Sequence, residues 1–111
     1  MSRDLVADFL DWDRTEPGFY NLFKQFAFEL INAGKTRGSA NRIVERIRWD
    51  VDTLKSDETW KVNNNHRPYL SRMFKLEFPQ YADFFGTRLV KAHGDSVHIR
   101  ISRRLGERAA A

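Results

Sequence analysis

The chain contains no cysteine. That excludes disulfides and cysteine-ligated zinc, leaves packing alone to hold the fold, and suits a reducing compartment. No apolar run reaches the ~18 residues of a membrane-spanning helix. The opening MSRDLVADFLDWD carries acids where a secretory leader carries bases and then an apolar stretch. Cytoplasm is the expected location, with no membrane attachment. Catalytic signatures are missing too: there is no Ser/His/Asp set, no phosphate-binding glycine loop and no dinucleotide fingerprint. In DETWK, Lys61 lies three residues past Glu58 and so on the opposite face of any shared strand, which does not build a metal-dependent nuclease site. His66, His93 and His98 lack a convergent metal-ligand spacing, and Asp11 and Asp13 read as a short solvated acidic pair. The expectation is a non-enzymatic protein with no metal and no cofactor.

What remains is apolar enough to fold. A hydrophobic fraction of 41% with nine Phe and three Trp exceeds what a disordered chain carries. A chain of 111 residues fits one domain, taken as 1–104, with 105–111 as a flexible tail. Leu5, Val6, Phe9 and Leu10 share one helical face behind a cap at Ser2. After the break RTEPG, the residues Phe19, Leu22, Phe23, Phe26, Leu30 and Ile31 form the strongest helical stripe, ended by Gly34. The linker KTRGS leads to Ser39, an N-cap for a helix whose inner stripe is Ile43, Ile47, Val51 and Leu54, with Val44 and Trp49 on its flanks.

The next helix starts at Asn64 or Asn65, carries Pro68 in its first turn, turns Tyr69, Leu70, Met73 and Phe74 inward, and stops at Pro79. Two features read as β. Trp60 and Val62 alternate with polar neighbours as in a short strand. Val97, Ile99 and Ile101 alternate with His98, Arg100 and Ser102, pairing across AHGDS with Thr87–Lys91 as a hairpin. The fold class expected is therefore mainly α with a small β element, a compact helical domain resembling a winged helix at most. It departs from that pattern, because 11 residues separate the last two helices.

Charge is uneven along the chain. The net charge is +4, yet the first 16 residues hold five acids against two bases. Lys35, Arg37, Arg42, Arg46 and Arg48 face Glu45 alone, and Lys61, Arg67, Arg72 and Lys75 face no acid between positions 61 and 75. Arg100, Arg103, Arg104 and Arg108 follow Val97. A helix start rich in Asn, His and Arg, as in NNNHR, suits phosphate and base edges alike. The expected reading side is Asn64, Asn65, His66, Arg67, Ser71 and Arg72, with Lys75 on the backbone and Arg42, Arg46, Arg48, Lys61 and Arg100 extending the basic surface. The bland reading stands beside this: asparagines and an early proline are what a helix start needs, and arginines often line a solvated face.

The runs FYNLFKQFAFELINAG, SANRIVERIRWD, WKVNNNHRPYLSRMF and FPQYADFFGTR, roughly Phe19 to Arg88, resemble a group of small, uncharacterised proteins encoded in phages and bacterial genomes. The resemblance implies a compact intracellular protein of the kind carried on mobile elements, and no activity. Two expectations follow. One is a small nucleic-acid-binding protein, with DNA favoured over RNA. The other is a protein-interaction module, such as a phage-encoded modulator of a host nucleic-acid-processing enzyme, anchored by Trp12, Trp49 or Trp60.

Overall fold

Phenylalanine spacing decides the architecture. Phe19, Phe23, Phe26 and Ala27 recur at three and four residues, so a helix turns all of them to one side, and all are buried. In the computed structural model, which describes residues 4–54, 66–85 and 94–110, this is α2 (Pro17–Asn32). Around it lie α1 (Leu5–Thr15), α3 (Ala40–Leu54), α4 (Arg67–Glu77) and α5 (Gly94–Ala110), with a 3-10 turn at Pro79–Tyr81. Helix α2 packs against α1, α3 and α4, and α4 also packs against α3 and α5. Phe9, Phe19, Tyr20, Phe23, Ile47, Leu70, Met73, Phe74 and Ile101 are fully buried where these elements meet. Removing each such side chain from water contributes about 1.5–3 kcal/mol.

The helix ends follow local chemistry. Asp4 caps α1 by accepting the Ala7 N–H at 3.1 Å, whereas Ser2, the expected cap, lies outside the described residues. Pro17 stands in the first turn of α2, where its missing N–H costs nothing. At the other end Gly34 adopts φ +88°, the left-handed conformation that a side chain would strain. It closes α2 with Lys35 N–H donating to Leu30 O and Gly34 N–H donating to Ile31 O, both at 3.0 Å. Ser39 receives the Arg42 N–H on its hydroxyl at 3.4 Å and the Ile43 N–H on its carbonyl at 3.1 Å. Pro68 sits in the first turn of α4, and Phe78 and Pro79 end it.

The expected β element is overturned. Residues 97–102 lie inside α5, so Val97 and Ile101, one turn apart, are buried while Ile99 points outward at 51% exposure. No strand, and hence no hairpin or wing, occurs among the described residues. The chain is all-helical there. The expected strand at Trp60–Val62 and the partner strand Thr87–Lys91 fall outside the described residues. Helix α5 also continues through 105–110, where a tail was expected, and Leu105 packs against the core.

A buried ion cluster holds α5 in place. Asp13 has no exposure and receives Arg104 Nε at 2.6 Å and Arg108 Nη1 at 3.1 Å. Arg104 Nη2 also donates to the Asp13 carbonyl at 3.3 Å. Arg108 Nη2 reaches the Pro17 carbonyl at 3.1 Å and Asn21 Oδ1 at 2.7 Å. Glu107 bridges Arg14 and Arg104, and Arg100 pairs with Asp4 at 3.2 Å. The negative start of the chain thus neutralises its positive end.

Candidate nucleic-acid interface

The corner between α2 and α3 gathers positive charge around an apolar floor. Lys35 and Arg37 come from the linker, Arg42 and Arg46 from the first two turns of α3. Together with Phe26, Leu30, Gly38, Ser39 and Ile43 they line a recess of about 460 Å³, and no carboxylate lines it. Among the described residues Lys35, Arg37 and Arg42 have no ion-pair partner. Arg46 lies over the Phe26 ring, its guanidinium carbon 4.1 Å from the centroid, with a loose contact of 3.5 Å to Glu29 Oε1.

Why the linker takes this path is local. Gly38 N–H donates to the Phe84 carbonyl at 2.9 Å, and a Cβ on Gly38 would sit 2.6 Å from the Phe84 ring. Only glycine lets the backbone lie this close to a buried ring. On the other side of Gly38 and Ser39 is a second, more polar recess of about 380 Å³, lined by Ala40 and Asn41 at the start of α3 and by Arg67, Pro68 and Ser71 at the start of α4. Arg67 Nε is buried with no hydrogen-bond partner, while its Nη2 holds Glu45 Oε1 at 2.7 Å.

The sequence-predicted residues divide among these places. Arg42 and Arg46 line the first recess, Arg67 and Ser71 the second, and the two recesses share Gly38 and Ser39 as a wall. Arg48 and Arg67 both contact Glu45, which offsets part of their charge. Ser71 is buried and donates to the Arg67 carbonyl at 3.4 Å, so its hydroxyl is turned into the helix. His66 is buried, stacked on Trp12 at 4.7 Å between ring centroids and edge-on to Phe9. Arg72 lies over Tyr69 at 5.5 Å, Arg100 is paired with Asp4, and Lys75 sits in the last turn of α4. Lys61, Asn64 and Asn65 lie outside the described residues.

Sequence reasoning counted Lys35 and Arg37 as basic but did not nominate them. Their convergence with Arg42 depends on how the linker turns over Phe84, which no local pattern announces. No family model, curated protein or solved structure matches the chain.

Proposed function

We propose that this protein is a non-enzymatic DNA-binding domain that grips the phosphate backbone at the corner between α2 and α3. The observation that carries this reading is the set Lys35, Arg37, Arg42 and Arg46 around one recess with no lining carboxylate. Several other arginines are paired with acids of the chain itself: Arg100 with Asp4, Arg104 and Arg108 with Asp13, Arg67 with Glu45. Cations left beside solvent attract a polyanion and release its counterions on contact. The first turns of α3 and α4 extend the positive potential toward the neighbouring recess.

Fluorescence anisotropy with labelled oligonucleotides at a series of salt concentrations tests the reading. If four phosphates are neutralised, log affinity falls against log salt with a slope of about −3. Replacing Arg37 and Arg42 together by Ala roughly halves that slope, because two of the four contacts go. Absence of binding at low salt, or a slope unmoved by the double substitution, overturns it.

Trp49, 68% exposed on the same helix, supports a second reading as a protein-interaction module. An exposed tryptophan is a natural centre for an interface. A pull-down from nuclease-treated lysate that retains a partner in the wild type and loses it in Trp49→Ala favours that alternative.

A further inference from the structure

The geometry points to single-stranded DNA as the ligand, with one unstacked base lodged in the apolar recess while Lys35, Arg37 and Arg42 hold the flanking phosphates; this rests on the DNA-binding reading above. Phosphate contacts need only an exposed positive surface. They do not account for a floor of Phe26, Leu30 and Ile43 inside the ring of cations. A volume of about 460 Å³ is that of a small-molecule pocket. A flat aromatic group attached to an anionic chain matches a floor and rim of this kind, and a nucleotide in a single strand is such a group.

Arg46 supplies the contact surface. It lies on Phe26 on one side, and its side chain is 49% exposed, so a base can reach the guanidinium. Guanidinium planes and aromatic rings are the surfaces on which unpaired bases stack. In a duplex the bases are already stacked and paired, and bringing one out is energetically costly. Duplex DNA would therefore meet the rim and leave the floor wet. A single strand meets both.

The test compares three labelled probes of equal length at one salt concentration: an oligothymidine strand, a duplex, and an abasic strand that keeps the phosphates but has no bases. The strand with bases is expected to bind about tenfold more tightly than either of the others. Arg46→Lys keeps the charge but removes the planar surface, so it should erase that preference while leaving the salt slope as in the wild type. Leu30→Gln, monitored by circular dichroism for folding, should do the same from the floor. Equal affinity for the abasic and base-bearing strands, or a preference that survives Arg46→Lys, overturns the inference and leaves phosphate binding standing. No binding to any probe overturns both.

Discussion

Asp13 and Asp11 share one helix and one side-chain chemistry, yet their surroundings are opposite. The Asp11 side chain is 77% exposed and pairs with Arg14 at 3.2 Å, whereas Asp13 is enclosed by two guanidinium groups. An exposed pair on a helix surface contributes little. A buried carboxylate with paired arginines is different, because deleting it leaves the largely buried Arg108 without a counter-charge and Arg104 with Glu107 alone. Asp13→Ala should lower unfolding stability by about 3–5 kcal/mol in urea titration, and Asp11→Ala by no more than about 0.5 kcal/mol. The sequence shows both as D in DWD. Their difference comes from Arg104 and Arg108, 91 and 95 positions away, and no local pattern carries it.

At the scale of the element, α1 to α4 were legible because their buried residues repeat every three or four positions and their caps and prolines stand at the boundaries. Helix α5 was misread. Val97, Ile99 and Ile101 alternate like a strand, and the residues that continue the helical inner face are Arg104 and Arg108, which an apolar template skips. Asp13 supplies the counter-charge that both share, with Glu107 beside Arg104 and Asn21 beside Arg108. The two readings separate on one comparison. A strand would put Ile99 and Ile101 on one face and make their truncations alike. In the helix, Ile101→Ala should cost about 2–5 kcal/mol while Ile99→Ala stays within about 0.5 kcal/mol, measured by thermal or urea unfolding. The recess was half legible for a related reason: Arg42 and Arg46 fall on one helix face by spacing, but the approach of Lys35 and Arg37 is set by the contact of Gly38 with Phe84.

For the whole molecule, stability should fall at both ends of the pH scale. The backbone N–H of Ala7 and then Arg100 hold the Asp4 carboxyl below its ordinary range, and Arg14 and Arg104 do the same for Glu107. A lowered folded-state value means that the ionised form stabilises the fold above the ordinary carboxylate value. That contribution disappears as pH falls through the depressed one. Tyr20 is the reverse case. Burial and then the neighbouring Glu77, which accepts its hydroxyl proton at 2.8 Å, push its ionisation upward from 10.0. The neutral phenol therefore stabilises the fold fully below pH 10, and the advantage is lost as pH rises beyond that. Melting temperature followed from pH 3 to pH 11 should show both declines, and Tyr20→Phe should weaken the alkaline one without changing the acidic one. Asp4 and Asp13 near the start of the chain pair with Arg100, Arg104 and Arg108 of α5, whereas Lys35, Arg37 and Arg42 beside Gly38 have no ion-pair partner among the described residues.

The clamp on Asp13 has a consequence during synthesis. A nascent polypeptide that has emerged through α4 possesses the carboxylate but neither guanidinium, and at ribosomal speeds of about 5–20 residues per second the stretch from Glu77 to Arg108 takes roughly 1.5–6 s. Burying Asp13 in that interval would leave it without either guanidinium, so α1 is expected to dock fully on α2 only once Arg104 and Arg108 are available to it.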